Sequence, residues 1–238
     1  VLALLGPRVL TMFFLQVFFI ARDNLASRLG EGEVTALNYG WFIMQVPETM
    51  IGTALAIALL PTLAEHMARG ELQAYRDGVN NAVRSLLALT LPIAAVLAVA
   101  LPPLVQVAFG FDEAGVSRVV WVTRAYLLGL AGHSLLEIAA RSFYARQDAR
   151  TPLFAAALNA LAYIAFAVAL SRWLGSAGIA LANSLAFTGE ALLLLFLLNR
   201  QVPGLLAVGS SFLRALLAAL LAGALALLVM NLPFIPDR

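Results

Sequence analysis

The segment FYARQDARTP, from Phe143 to Pro152, separates two apolar stretches at residues 118–141 and 152–172. A helix that crosses a lipid bilayer needs about 20 consecutive, predominantly apolar residues, and both stretches reach that length. A short polar segment between two such stretches is typical of a loop that joins two membrane helices. The segment therefore predicts a chain that crosses a membrane more than once.

The composition of the whole chain supports this interpretation. Of its 238 residues, 62% are hydrophobic and 12% are charged, and the mean hydropathy is +0.92. Soluble domains carry about 25% charged and about 45–50% apolar residues. Because this chain has half that charge and more apolar residues, it has too little polar surface to face water on all sides.

Seven segments are long and apolar enough to cross a bilayer: roughly 8–28, 36–61, 82–109, 118–141, 152–172, 177–198 and 210–232. Lipid offers no partners to backbone polar groups, so only helices and closed barrels can cross it. Barrel strands are about 10 residues long, far shorter than these segments. The sequence therefore predicts an all-α fold, a polytopic membrane helical bundle of about seven transmembrane helices. Prolines within the spans predict helix kinks at Pro47, Pro92, Pro102 and Pro103.

The arginines between the spans predict the orientation, because short cytoplasmic loops of membrane proteins are enriched in basic residues. Loops two, four and six with their flanks hold Arg69, Arg76, Arg84, Arg141, Arg146, Arg150, Arg200 and Arg214. Loops one, three and five hold Arg28, Arg118 and Arg172, together with Glu31, Glu33, Asp112 and Glu113. Adding Arg8 to the even-numbered loops and Arg238 to the odd-numbered loops gives nine arginines on one side of the membrane and four on the other. We expect cytoplasmic even-numbered loops and N-terminus, and an external C-terminal end.

Several classes of site are excluded or disfavoured. Cysteine is absent, and histidine occurs only at His66 and His133, so disulfides and thiolate sites are excluded and a metal site is not expected. The sequence contains no catalytic or phosphate-binding motif, and no cofactor is implied. The basic balance reflects arginines beside a membrane rather than a nucleic-acid partner. The chain opens without an initiator Met, and we expect it to be a fragment of a longer, non-enzymatic protein.

Polar residues within the first two spans are candidates for a cavity, because an ionisable residue near the bilayer centre costs about 2.5–3.5 kcal/mol on insertion scales. Gln16 and Asp23 share a helical face, with Arg22 about 100° away. Adjacent residues do not face each other, so we expect Arg22 and Asp23 not to neutralise one another. These residues either line a water-filled cavity or lie near the external membrane interface. In span two, a polar stripe of Asn38, Gln45 and Glu48 follows one face to the kink at Pro47.

Span four carries His133, Glu137 and Arg141 at intervals of four residues. This ladder is compatible with a proton relay or with a self-satisfied structural network. The full set of substrate-cavity candidates is Gln16, Arg22, Asp23, Asn38, Gln45, Glu48, His133 and Glu137. In the next two spans, Asn159, Asn183, Ser184 and Glu190 are expected to bond neighbouring helices more often than an ion.

Several stretches together resemble the MurJ/MviN family of bacterial lipid II flippases. They are Gly6–Pro7–Arg8, Ala26–Leu29 with Gly32 and Ala36–Tyr39, Val46–Pro47, Gly52, Leu60–Pro61, Phe143–Pro152 and Gly178–Ser184. The most specific is the predicted cytoplasmic loop, whose motif residues are Arg146, Gln147, Asp148, Arg150, Thr151 and Pro152. The matches run in family order from residue 6 to about residue 190.

The resemblance implies a two-lobe, MATE-like transporter fold of the multidrug and polysaccharide exporter superfamily. Residues 1–200 would form the second six-helix lobe, family helices seven to twelve. Residues 201–238 would form a linker and one additional helix, cut short, and the N-terminal lobe would be missing. The implied activity is alternating-access flipping of lipid II across the bacterial cytoplasmic membrane for cell-wall synthesis. The implied partners are the bilayer, a polyprenyl-pyrophosphate-linked saccharide and the missing lobe, with a coupling monovalent ion left open.

Two positions depart from the family pattern. Phe42 stands where the family has a cavity arginine, and we hypothesise that Arg22 replaces this cation from the neighbouring helix. In the eleventh family helix, Tyr163 and Ala167 stand where relatives often have asparagine-type residues. The remaining coupling-ion candidates are Asp23, Asn183 and Ser184. The alternatives to a lipid II flippase are an exporter of another polyprenyl-linked saccharide, a non-transporting scaffold for cell-wall enzymes and, least favoured, a membrane glycosyltransferase.

Overall fold

The computed structural model describes residue 16, residues 18–205 and residues 209–231. Regular secondary structure in this part of the chain is helical. The elements are α1 (18–27), α2 (Glu33–Pro47), a π-helical segment (Glu48–Thr53), α3 (Ala54–Ala68), α4 (Leu72–Phe109), α5 (Glu113–Leu127), α6 (Leu130–Ala145), α7 (Arg150–Gln201) and α8 (Gly209–Met230). The all-α prediction is confirmed.

The helices form rods long and apolar enough to cross a membrane. Within the described residues, five such rods are Glu33–Ala68, Leu72–Phe109, Glu113–Ala145, Arg150–Gln201 and Ser211–Met230. These rods contain the predicted spans two to six and most of span seven. Gly6 and Pro7, the beginning of span one with Arg8, and the end of span seven lie outside the described residues.

Helix α7 supplies two spans because it reverses at Gly175. This glycine has φ 58° and ψ −137°, a backbone conformation that residues with a Cβ atom rarely adopt. Across the reversal, Asn159 Nδ2 donates a 2.7 Å hydrogen bond to Glu190 Oε2. The two arms, residues 150–174 and 176–201, therefore pack antiparallel. They correspond to the predicted spans 152–172 and 177–198.

The proline at the end of α2 disrupts the rod, as its position predicts. Pro47 is followed directly by the π-helical segment, which contains Gly52 at a buried position. A π-helical turn inserts an extra residue per turn and commonly bends a helix. Pro92, Pro102 and Pro103 lie within α4, which continues through all three. The result is a π-helical distortion near the middle of the Glu33–Ala68 rod, which remains helical throughout.

The segment Phe143–Pro152 is less of a loop than the sequence predicts, and this is a correction. Helix α6 ends at Ala145 and α7 begins at Arg150, so residues 146–149 alone lie between helices. Asp148 explains the early helix start, because its Oδ1 atom accepts hydrogen bonds of 3.0 Å from the backbone N–H groups of Arg150 and Thr151. Proline has no backbone N–H group, and Pro152 is tolerated because the N–H groups in the first turn of a helix have no acceptor within the helix.

The loops gather in two groups at opposite ends of the bundle. Arg118 joins loop three to loop one, donating to Glu31 O over 2.8 Å and pairing with Glu33. At the other end, Arg146 bonds Gln201, and Arg76 donates to Pro203 O over 3.2 Å. This alternation of ends agrees with a chain that crosses the membrane back and forth.

Two apolar cores fill the bundle. One joins α1, α2, the end of α4, α5, the start of α6 and the middle of α7, with Leu37, Tyr126 and Tyr163 fully buried. The other joins α3, α4, α6, α8 and the ends of α7, with Leu63, Tyr75 and Phe143 fully buried. Outside these cores, large apolar side chains face outward along the rods, as expected of surfaces in contact with lipid. The chain is a multi-pass membrane protein.

Candidate substrate cavity

A cavity of about 430 Å³ opens between α1, the α2–π region, α6 and the second arm of α7. We call it the central cavity. Its polar lining is Gln45, Glu48, Thr49, Thr53, His133 and Glu137, and its aromatic lining is Phe18, Phe19, Trp41 and Phe187. Glu48 begins the π-helical segment after Pro47 and lies in this lining, near the middle of the Glu33–Ala68 rod. The central cavity therefore combines hydrogen-bonding groups with flat apolar walls.

His133 is held firmly on one side of the central cavity. Its Nε2 atom lies 2.8 Å from Asn183 Oδ1, and because an amide oxygen only accepts, Nε2 carries the proton. The imidazole stacks on Phe187, with centroids 4.3 Å apart, and meets Trp41 edge-on at 5.5 Å. The bond to Asn183 and these two ring contacts fix the orientation of His133 between α2, α6 and α7.

The carboxylates of the central cavity have different partners. Glu137 forms an ion pair with Arg141 one turn further along α6, as the predicted ladder requires for these two residues. His133 does not continue that ladder, because its bond goes to Asn183 on another helix. Glu48 accepts hydrogen bonds from Thr53 Oγ1 at 3.1 Å and Thr49 Oγ1 at 3.4 Å, and lies within electrostatic range of Arg141.

The expectation that Arg22 and Asp23 do not neutralise one another is wrong. Arg22 Nε donates to Asp23 Oδ1 over 2.9 Å, and the same guanidinium bonds Asn38 Oδ1 on α2. The arginine side chain is long enough to fold back over the adjacent residue, although the two Cβ atoms point about 100° apart. Arg22 is only 3% exposed, and its guanidinium lies over the ring of Phe19. Burial of this cation makes the nearby carboxylate its favoured partner.

A second, smaller cavity of about 200 Å³ adjoins the central cavity. We call it the side cavity. The two share four lining residues, Phe18, Leu136, Glu137 and Phe187, and the side cavity adds Tyr144, Asn159 and Glu190 from α6 and both arms of α7. The Asn159–Glu190 bond confirms that this amide joins neighbouring helical arms. Sequence reasoning had not included Asn159 or Glu190 in the cavity.

The predicted cavity residues fall into three groups. Gln45, Glu48, His133 and Glu137 meet in the central cavity. Arg22, Asp23 and Asn38 form the adjoining charged network between α1 and α2. Gln16 is exposed and does not line either cavity.

The coupling-ion candidates do not come together as one set. The oxygen of Asn183 accepts from His133, and the hydroxyl of Ser184 donates to Ala125 O over 2.7 Å. Asp23 lies on α1 beside Arg22. Two of the three side chains therefore serve helix packing.

Sequence reasoning missed several lining residues. Thr49 and Thr53 follow Glu48 by one and five residues, and the π-helical segment brings both hydroxyls to its carboxylate. Spacing in a regular helix would not predict that convergence. Trp41 and Phe187 have no polar signal in sequence, and they enter the cavity through their contacts with His133.

Comparison with known proteins decides the family. The family model described as "Lipid II flippase MurJ" matches residues 1–234. The chain belongs to the lipid II flippase MurJ family. Members of this family are transporters rather than catalytic enzymes. A probable lipid II flippase MurJ from Rhizobium meliloti is 34% identical over 196 residues, which cover 81% of this chain and 36% of the relative. The lipid II flippase MurJ of Burkholderia cenocepacia is 33% identical over 156 residues, covering 64% and 30%.

Solved structures show the same fold. A lipid II flippase MurJ in an inward closed conformation superposes with a TM-score of 0.79 and 22% identity over 97% of this chain and 53% of that one. An outward-facing multidrug resistance transporter of the MATE family superposes with a TM-score of 0.73 and 15% identity, covering 94% and 52%. The chain thus spans about a third of the curated relatives' length and about half of the solved family structure.

Proposed function

We propose that this chain is one lobe of a flippase that moves lipid II across the bacterial cytoplasmic membrane by alternating access. The observation that carries the proposal is the central cavity, a polar chamber inside an apolar membrane bundle of this family. Buried ionisable side chains in a membrane protein mark substrate or ion pathways more often than they mark packing. His133 is such a side chain, and the half-buried Glu137 on the same helix and Glu48 on the π-helical segment join it in the lining of the central cavity.

The proposal includes the rest of a longer protein. Residues 1–200 correspond to a second six-helix lobe and residues 201–238 to a linker and an additional helix, here α8. A missing first lobe is consistent with the partial coverage of the relatives. It would cover the exposed face of α2 that carries Asn38, Phe42 and Gln45, and so close the central cavity. We refer to the protein that contains both lobes as the full-length protein.

We also propose the orientation that the arginine count predicts. The end that holds Arg76 and Arg146 would face the cytoplasm, and the end that holds Glu31 and Arg118 would be external. The grouping of loops at two ends supports this arrangement. Substrate would then enter from the arginine-rich side, which suits an anionic pyrophosphate.

Arg22 is proposed as the replacement for the cavity arginine of the family. Phe42 is 62% exposed, and an aromatic ring cannot pair with an anion as a guanidinium does. Arg22 reaches the same helix through Asn38, which precedes Phe42 by about one turn. Among the coupling-ion candidates we retain Asp23, because its side chain is 47% exposed although Arg22 pairs with it, whereas the Asn183 oxygen and the Ser184 hydroxyl are buried and bonded to other helices.

Phe42 also favours a second candidate function. A cavity without an arginine at this position is less suited to pyrophosphate, so an exporter of another polyprenyl-linked saccharide remains the runner-up. The two differ in the anionic group and sugar that the cavity must accept, while the lobe and its membrane setting are common to both.

Complementation separates these functions. The full-length protein is expressed in bacterial cells whose own lipid II flippase is shut off, and growth and cell shape are measured. We expect rescue by the full-length protein, and no rescue by this lobe alone, whose cavity would lie open to lipid. Failure of the full-length protein despite normal membrane levels would contradict lipid II flipping and favour the other saccharide carrier.

A further inference from the structure

The side cavity contains a buried hydrogen-bond acceptor, the Oδ1 atom of Asn159, that has no donor among the described residues. Asn159 is 9% exposed, and within the described part of the chain no group donates to its Oδ1 atom. The assignment of that oxygen follows from chemistry, because the other end of the amide donates to the Glu190 carboxylate. A buried acceptor without a donor costs about 1–3 kcal/mol, so its retention points to a ligand that supplies the donor.

Two carboxylates flank this unpartnered oxygen. Glu190 lines the side cavity, is 8% exposed and accepts one hydrogen bond from Asn159. Among the described residues, no ion pair neutralises it. Glu137 also lines the side cavity and forms an ion pair with Arg141. The lining of the side cavity therefore holds two carboxyl groups and no basic side chain.

The walls of the side cavity fit an organic cation better than a bare metal ion. The rings of Phe18 and Phe187 line it, and aromatic faces attract cations. A volume of about 200 Å³ holds several non-hydrogen atoms, since one water takes about 30 Å³ of liquid. Within the described residues there is no group of three or more acidic or histidine side chains placed to hold a metal.

We propose that the side cavity binds a primary alkyl ammonium group. The group has three N–H donors, and the cavity offers three acceptors, in Asn159 Oδ1 and the carboxylates of Glu190 and Glu137. The alkyl chain runs along the rings of Phe18 and Phe187, which contact each other edge-on with centroids 5.7 Å apart, and leads into the central cavity, where the remainder of the ligand sits. This inference rests on the proposed function: the ammonium belongs to the peptide of the lipid-linked precursor. The side cavity thereby selects precursors whose peptide carries a free amine.

The test compares two forms of one lipid. The purified full-length protein is titrated with lipid II that has a lysine-containing peptide, and with the same lipid II acetylated on the lysine amine. Acetylation removes the charge and leaves the rest of the molecule intact. We expect binding to weaken at least about tenfold, because hydrogen bonds to charged groups are among the stronger ones. Equal binding of the two forms would overturn the inference and leave the proposed function standing, whereas binding of neither would contradict the proposed function.

Two variants and a small amine test whether the preference for the free amine arises in the side cavity. Glu190→Gln is expected to lose the preference for the free amine, and Glu65→Gln, the same charge change on the exposed face of α3, is expected to keep it. A preference that survives in a monodisperse Glu190→Gln protein would overturn the assignment to the side cavity. In a separate arm, n-butylammonium is added alone. If it protects the protein against heating while the two lipids bind equally, the ligand is a free amine and the precursor form of the inference is wrong.

Discussion

Gly132 on α6 packs directly against Thr188 on the second arm of α7, so that a methyl group at Gly132 would lie 2.8 Å from Thr188 Cα. Gly132→Ala is therefore expected to destabilise the protein by about 1–3 kcal/mol, the usual cost of overpacking a close contact. The measurement is the melting temperature of the purified full-length protein in detergent.

Gly189 is a matched control on the same arm of α7. A methyl group there would meet nothing within 4 Å. Gly189→Ala is expected to be neutral or to stabilise by up to about 1 kcal/mol, because alanine favours a helix more than glycine does. If the two variants melt at the same temperature, the close contact between α6 and α7 does not contribute to stability as argued.

The fold could be predicted from sequence because a lipid bilayer imposes one simple rule, a run of about 20 apolar residues for each crossing. That rule places both arms of α7 and the rod Leu72–Phe109 without any knowledge of contacts. It cannot say which polar side chains meet across helices. His133 bonds Asn183 fifty residues away rather than Glu137 one turn away, because packing between α6 and α7 brings the amide within reach.

The candidate site was predictable only in part, for the same reason. Glu48 and Glu137 could be recognised as charged residues within apolar spans. The pair of Arg22 with Asp23 depends on the conformation of a long side chain, which helical periodicity does not describe. The side cavity depends on the reversal at Gly175, which sets Asn159 opposite Glu190.

Asp148 caps the start of α7, and its removal is expected to be costly. Its carboxylate accepts from the backbone of Arg150 and Thr151 at 3.0 Å and from Thr151 Oγ1 at 2.6 Å. Asp148→Ala is expected to lose about 0.5–2 kcal/mol at pH 7, as other lost helix caps do, and Asp148→Asn less, because one acceptor oxygen remains. Thermal melts of the full-length variants measure whether Asp148→Ala loses more stability than Asp148→Asn.

The same residue predicts a pH dependence. Partial burial raises the pKa of Asp148, but hydrogen bonds from Thr151 and Arg150 and the charge of Arg146 outweigh it and hold the pKa below its usual value. A carboxyl whose pKa is lower in the folded than in the unfolded state, about 3.9, stabilises the fold above that pH. The contribution disappears as pH falls through the folded-state pKa. The stability difference between the original protein and Asp148→Ala should therefore shrink below about pH 4. A difference that does not change with pH would contradict the ionic cap.

Single cysteines test the orientation, since the chain has no cysteine of its own. Gln147 lies in the short turn between α6 and α7, and Glu31 lies in the turn between α1 and α2. In intact cells, an impermeant thiol reagent should label Glu31→Cys and not Gln147→Cys in a full-length protein otherwise free of cysteine. Permeabilised cells should label both, which shows that Gln147→Cys is reactive. Labelling of Gln147→Cys alone in intact cells would mean that the orientation is inverted.

The role of Arg22 is tested by removing or reversing its charge. Arg22 is buried and bonded to Asp23 and Asn38, so Arg22→Gln leaves Asp23 without its cation and α2 without its neighbouring positive charge. We expect complementation to fall at least about tenfold, measured as colony-forming units after flippase depletion, and Arg22→Glu to abolish it. Arg28→Gln, in the exposed turn, is the matched control and should grow normally.

A second substitution distinguishes lost charge from lost structure. Phe42 lies one turn beyond Asn38 on α2 and is largely exposed, so an arginine there can regain a cation on that face without disturbing the core. Phe42→Arg is expected to restore growth to the Arg22→Gln variant. Restoration would mean that the cavity needs a positive charge and accepts it from either helix. Full growth of Arg22→Glu would instead mean that neither the substrate nor the link between α1 and α2 depends on this guanidinium.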